Sequence, residues 1–269
     1  MRRFILETLL YIFLLVVILI GYDYGQFIEK MNGKEVYFSL RQSKTKHYRK
    51  KIMIGDSVGH QLFPSAQDND TVAYMACNQA VTMAGMYFLL QNYIETNRDS
   101  LPKEAILLCT PDALHNDLDI YSFQYFLKPF KQSEYGKWTT PLLRERIHDV
   151  RLWWASELPF VRTSNFTTTY CLSHADYIQV SPLSAEYIIK MDSLLTANNI
   201  AFVMRSVPLK DIYQEKIDGA LQASLQAGEL PEHIYQPYIQ SVSYMPSSAY
   251  VDHCHFTYEV LDTISRQQF

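Results

Sequence analysis

Over most of its length the chain alternates short apolar runs with longer polar segments of helical spacing, but its first apolar run is of another kind. Residues 4–22 are apolar apart from Glu7, Thr8 and the tyrosines, and the basic start Met1-Arg2-Arg3 precedes them. A helix of ~20 such residues spans a bilayer core, and Glu7 lies near the end, where a side chain can snorkel to the interface. No small-residue cleavage pattern follows Ile20, where Gly21-Tyr22-Asp23-Tyr24 stands. Residues 1–24 therefore read as an uncleaved signal anchor rather than a signal peptide. Residues 25–50, polar and basic with Gly25, Asn32 and Gly33, read as a stalk. Beyond them, strand-like runs fall at 51–54, 71–77, 104–110 and 200–207, with a weaker fifth at 239–245. Helical spacing falls at 80–94, 184–197, 210–227 and 257–267. Pro182 stands just before the second of these helices, and Pro208 ends the fourth strand.

Strands alternating with helices predict an α/β domain over 51–269, with a mostly parallel five-stranded sheet covered on both faces. In such sheets ligands sit beyond the carboxyl ends of the strands. The stretch 111–182 is too long for a simple crossover. Residues 123–181 are expected to be an insertion that caps the site. It holds Trp138, Trp153 and Trp154, and the Trp153-Trp154 pair reads as packing in preference to sugar binding.

Composition narrows the function classes. With 269 residues, 48% of them hydrophobic, there is enough chain for one ordinary α/β domain and extras. A net charge of -4 without a clustered positive excess excludes a nucleic-acid footprint. Charge leaves orientation in the membrane open. Arg2 and Arg3 favour a cytoplasmic N-terminus, but Lys30, Lys34, Arg41, Lys44, Lys46, Arg49, Lys50 and Lys51 follow the span. The short basic start and apolar run have the form of an export signal, so the domain is expected on the extracytoplasmic side of a single-pass protein. The 20 tyrosines have a bland reading as amphipathic packing and a sharper one as a carbohydrate-facing surface. Asn165-Phe166-Thr167 fits a glycosylation sequon.

Cys77, Cys109, Cys171 and Cys254 form no C-x-x-C pair and no zinc spacing, and no cofactor is expected. The flank His253-Cys254-His255 hints at a metal. Neighbours on an extended loop point opposite ways, however, so no metal site is expected there either.

The candidate chemistry lies at the two ends of the domain. Gly55-Asp56-Ser57 follows the apolar run Ile52-Met53-Ile54, which sets a serine hydroxyl at the end of a buried strand. Gly55 permits a sharp turn, and Asp56 suits a helix cap. Ser57 then lies near a helix start, where free N–H groups favour an oxyanion. A serine needs a base and a group that orients the base. Asp252-His253-Cys254-His255-Phe256-Thr257 follows the last strand-like run and supplies both, with Asp252 three residues before His255. The spacing alone is weak, since Asp112/His115 and Glu145/His148 share it. Position separates them: only Asp252/His255 follows the last strand and precedes a terminal helix. Gly55-Asp56-Ser57-Val58-Gly59 also fits G-x-S-x-G. That elbow comes after several strands, whereas this serine follows the first strand of the domain.

Together, Ile54-Gly55-Asp56-Ser57 and Asp252-His253-Cys254-His255-Phe256 resemble two blocks of the SGNH, or GDSL-type, hydrolase superfamily. The resemblance extends over about residues 50–269. It implies a flavodoxin-like three-layer α/β/α fold and a serine esterase or O-acyltransferase mechanism. By the same analogy Ser57 is nucleophile, His255 base and Asp252 its orienter. The family's second block supplies a glycine N–H to the oxyanion, and after the second strand the glycine here is Gly85. Its third block reads Gly-x-Asn-Asp; this chain has Thr110-Pro111-Asp112-Ala113-Leu114-His115-Asn116-Asp117, in which Asn116 is the counterpart or else a solvent-facing turn residue.

Three functions follow. The first is an esterase that removes acyl groups, expected to be acetyl, from an envelope or extracellular glycan. The second is an O-acyltransferase with the same triad, working beside a membrane-bound acyl-donor partner. The third is a non-catalytic envelope protein on the same fold.

Overall fold

The computed structural model describes residues 1–30, 34–46, 48–63, 72–76, 82–120, 122–158, 161–171 and 180–264. Its first helix, α1 (Arg2–Lys30), contains a 20-residue stretch, Arg2–Gly21, with a mean hydropathy of 2.7 and none of its residues buried. That is long and apolar enough to cross a membrane. Glu7 is paired with Arg3 one turn away, at 2.9 Å, which lowers the cost of a carboxylate near the end of the span.

Part of the expected stalk packs on the domain. Within 25–50 the chain forms α2 (Lys34–Ser43), whose Val36, Ser39 and Ser43 are fully buried. Spacings of three and four put these residues on one helical face. Ser43 Oγ accepts a hydrogen bond from Asn92 at 3.3 Å. Basic residues counted after the span also belong to the folded surface. Lys44 pairs with Glu134, Lys46 with Asp99 at 2.8 Å, and Lys51 with Glu104 at 2.8 Å.

Next come β1 (Lys51–Gly55), α3 (Ser57–Leu62), β2 (Val72–Ala76), α4 (Met83–Thr96) and β3 (Glu104–Leu108). Short helices follow: α5 (Pro111–Leu114), α6 (Phe123–Phe126), α7 (Gln132–Tyr135) and α8 (Pro141–His148). The chain returns through α9 (Pro182–Ala197) to β4 (Ala201–Arg205). Ser181 caps α9 by accepting from Ser184 N–H at 3.0 Å, with Pro182 as first helical residue. After β4 stand β5 (Leu209–Lys210), α10 (Gln214–Ala227), α11 (Glu232–Gln240), β6 (Tyr244–Met245) and α12 (Tyr258–Leu261).

The main sheet has four parallel strands in the order β2-β1-β3-β4. Alternate residues divide its two faces, as strand geometry requires. Ile52, Ile54, Ala105 and Leu107 join the core that contains α4 and α9. Met53, Ile106 and Leu108 face Val58, Leu62 and Phe63 of the α3 segment and the C-terminal residues Ala249, Tyr250 and Phe256. The sheet is thus covered on both sides. Successive crossovers leave in opposite directions from β1 and β3, so a crevice opens between their carboxyl ends.

The expected fifth strand does not join this sheet. Ile239 and Gln240 end α11, while Tyr244 and Met245 pair in parallel with Leu209 and Lys210 in a separate two-stranded ribbon. The β-forming residues Ile239 and Val242 and the internal Pro237 hide a helix in the sequence. Tyr235 and Tyr238 fix it by full burial, and Tyr238 donates to Cys109 O at 3.2 Å.

Among the described residues, 123–181 does not pack on the α3 face. Phe88 of α4 gathers Phe126 (5.9 Å between ring centroids), Phe130 (5.6 Å), Tyr135 (5.3 Å) and Trp138 (5.9 Å). The described part of 123–181 therefore packs on the α4–α9 side. Part of the tyrosine content that reads in the sequence as a sugar surface is core, including Tyr87, Tyr93, Tyr135 and Tyr187.

Gly55 is required by space alone. A Cβ there would lie 2.2 Å from the carbonyl oxygen of Leu108, its partner across the sheet. Gly55→Ala is expected to destabilise the fold by at least about 1–3 kcal/mol, because backbone rather than a yielding side chain must move. Urea denaturation of the two proteins measures it.

Candidate active site

At the carboxyl end of β1 the buried Asp56 organises the crevice. One carboxylate oxygen accepts from the N–H groups of Val58 and Gly59, each at 3.0 Å. The other accepts from the N–H and hydroxyl of Thr110, again at 3.0 Å. A buried carboxylate is tolerated when its lone pairs are met in this way. Asp56 therefore does more than cap α3: it ties the end of β1 to the end of β3. Ser57 is the first helical residue and is half-buried. Among the described residues no acceptor takes its N–H, because the Asp56 cap serves the two residues after it.

The opposing loop is closed by an antiparallel bridge between Tyr250 and Phe256. Val251 N–H donates to His255 O at 2.8 Å, and Thr257 N–H to Ala249 O at 2.9 Å. Inside the loop, Asp252 Oδ1 accepts from the N–H groups of Cys254 (2.9 Å) and His255 (2.8 Å). Its Oδ2 lies 2.8 Å from His255 Nδ1, and His255 Nε2 lies 3.0 Å from Ser57 Oγ. Ser57 and the Asp252/His255 pair, which the sequence separates by nearly the whole domain, are thus joined in one hydrogen-bonded chain.

Charge fixes the direction of the chain. Burial works against the ionised Asp252, but the two backbone N–H groups and the His255 ring outweigh it and hold the carboxyl well below its usual range. An ionised carboxylate only accepts, so Nδ1 carries the ring proton and a neutral ring turns a bare Nε2 to the Ser57 hydroxyl. Cys254 is not a rival nucleophile. Burial, followed by the charges of Asp252, Asp56 and Asp112, pushes its thiol far above the usual value.

Gln61 is a member of the site that no sequence motif marks. It sits one helical turn after Ser57 on α3. Its amide donates to Phe256 O at 2.9 Å, and its carbonyl accepts from Phe256 N–H at 3.0 Å. This two-point contact holds the residue next to His255 against the helix that bears Ser57. Only the i, i+4 spacing on a short helix could have signalled it.

Other sequence candidates fall elsewhere. The Gly85 N–H is spent on Thr82 Oγ1 at 3.3 Å, as part of the cap of α4, so it is not an oxyanion donor. The remainder of that expected block, 78–81, lies outside the described residues. Asn116 serves through its backbone: its carbonyl accepts from Ser181 Oγ (3.0 Å) and Ser184 Oγ (2.9 Å) and so anchors the start of α9. No hydrogen bond joins it to Ser57 among the described residues. Of the look-alike spacings, His148 stacks on Trp153 at 4.5 Å, and His115 is buried at the end of α5.

The loop 252–255 is also not extended. The Asp252 turn brings the neighbouring side chains of Cys254 and His255 to the same side, with Sγ 3.5 Å from Nδ1. Asp252, Cys254 and His255 together have the geometry of a potential metal cluster. A small cavity adjoins this loop, bordered by Pro111, Asp112, Lys210, Tyr213 and His253.

Fold and site define an α/β protein with a hydrogen-bonded serine, histidine and aspartate at the carboxyl end of its parallel sheet. No family model and no curated protein matches the chain. Among solved structures it is similar to a Bacteroides fragilis protein described as a "putative acylhydrolase", with 13% identity and a TM-score of 0.37 over 83% of this chain and 88% of that one. The function is therefore read from the geometry of the site.

Proposed function

We propose that the chain is a membrane-anchored serine esterase that removes short acyl groups, acetyl first among them, from an envelope or extracellular glycan. Its domain lies on the extracytoplasmic side. The observation that carries this reading is the Asp252–His255–Ser57 chain, with contacts of 2.8 and 3.0 Å. Ser57 Oγ attacks the acyl carbonyl while His255 Nε2 takes its proton. Asp252 stabilises the imidazolium that forms. The Ser57 N–H, left over by the Asp56 cap, faces the growing oxyanion. His255 then returns the proton to the departing sugar hydroxyl, and water attacks the acyl-serine by the same route. A glycan substrate is supported by the anchor and by exposed apolar groups near the site, Val251 and Tyr258 on either side of the base and Tyr213 at the cavity.

The test uses the full chain in detergent micelles, assayed first on p-nitrophenyl acetate and then on an O-acetylated polysaccharide. Release of free acetate from both is expected. Acetate that appears on an added sugar acceptor instead of in solution would turn the reading to acyl transfer. Absence of turnover on either would leave a binding protein. In the same assay Gln61→Ala is expected to lower kcat by up to about 10²-fold, the cost of a base displaced by about an ångström.

A further inference from the structure

We propose that Asp252, Cys254 and His255 form an inhibitory site for a borderline-soft divalent cation of the zinc class. A carboxylate oxygen of Asp252, Cys254 Sγ and a ring nitrogen of His255 lie within 4.8 Å of one another. Their closest pairs are 2.8 Å (Asp252 Oδ2 to His255 Nδ1) and 3.5 Å (Cys254 Sγ to Nδ1). Tetrahedral zinc, with bonds of about 2.0 Å to nitrogen and oxygen and 2.3 Å to sulfur, holds its ligands roughly 3.3–3.5 Å apart. Small side-chain shifts within a turn already fixed by backbone hydrogen bonds reach that arrangement, and water supplies the fourth ligand. The sulfur selects zinc over magnesium or calcium.

Binding leaves the backbone in place and changes the ring. The cation displaces the proton from Nδ1 and the proton from the thiol. The thiol proton goes to solvent, while the neutral ring now carries its own proton on Nε2. Nε2 then donates to Ser57 Oγ and cannot accept the proton that the hydroxyl must lose. The cation also neutralises the Asp252 charge that stabilises the imidazolium. One ion thus takes both the base and its orienter out of use without entering the space in front of Ser57.

The inhibitory consequence rests on the esterase reading above; the metal site does not, and the experiment separates them. Cobalt(II) added to the full chain in detergent micelles is expected to give a thiolate charge-transfer band with tetrahedral visible bands, reversed by zinc and lost in Cys254→Ser. Alkylation of Cys254 is slow because burial holds its thiol protonated, so it is run to completion in a long reaction at alkaline pH. Zinc is expected to slow it further as read by mass spectrometry, with exposed Cys171 as an unprotected reference in the same sample. No sulfur band, a band that survives in Cys254→Ser, or unprotected Cys254 would overturn the site. Zinc, but not magnesium, is expected to stop turnover of p-nitrophenyl acetate, and Cys254→Ser is expected to need at least about tenfold more zinc for the same inhibition. Equal zinc sensitivity of the two proteins would overturn the inhibitory role. If the unaltered chain shows no turnover, the esterase reading fails and the cobalt and alkylation results still decide the metal site.

Discussion

Ser57→Ala loses about 10⁶-fold in kcat on p-nitrophenyl acetate, His255→Ala loses as much, and the double variant is no worse than either. The equality follows from the geometry. The hydroxyl is activated only through the 3.0 Å contact with Nε2, so removing either partner removes the same step. Residual rate above that of buffer comes from substrate binding and from the Ser57 backbone N–H, which the alanine variant retains. Steady-state kinetics on the four proteins checks it. A much smaller loss in His255→Ala would mean that another base serves Ser57.

Asp252→Asn drops kcat by about 10⁴-fold while the loop keeps its shape. The asparagine carbonyl oxygen still accepts from the N–H groups of residues 254 and 255, which Asp252 Oδ1 now takes at 2.9 and 2.8 Å. Its amide nitrogen, however, meets His255 Nδ1 as a donor. Nδ1 must then accept, the ring proton moves to Nε2, and the base faces Ser57 in the wrong tautomer. Kinetics and the ring-nitrogen NMR shifts of His255 together test it. The same tautomer is the one that the proposed cation imposes, so the variant and zinc act on one property of the ring.

Legibility of this fold in the sequence varied with how local the signal is. Strand β1 and its turn were readable because three apolar residues, a glycine and a capping aspartate stand in a row. The Asp252/His255 spacing was readable but shared by two other pairs, and only its place after the last strand-like run singled it out. The closeness of the Cys254 and His255 side chains is not legible in the sequence, where residue alternation reads an extended loop. Asp252 bends it by capping two N–H groups, which residue alternation does not reveal. Helix α11 was hidden by Pro237 and by β-forming residues, and its stability comes from Tyr235 and Tyr238 buried against the sheet. The packing of α2 is hard to read because charges dominate the composition of 25–50 while only a few residues on one helical face carry it. Links made by long-range hydrogen bonds, Asp56 to Thr110 and Gln61 to Phe256, leave no periodicity at all.

The account stands most directly on whether Ser57 is an activated nucleophile. Full-length protein in detergent micelles, treated with a fluorophosphonate and digested for mass spectrometry, reads that without choosing a substrate. The account predicts a single covalent adduct on Ser57, absent when His255 is replaced by alanine. No adduct on Ser57, or one that forms equally well without His255, would contradict it.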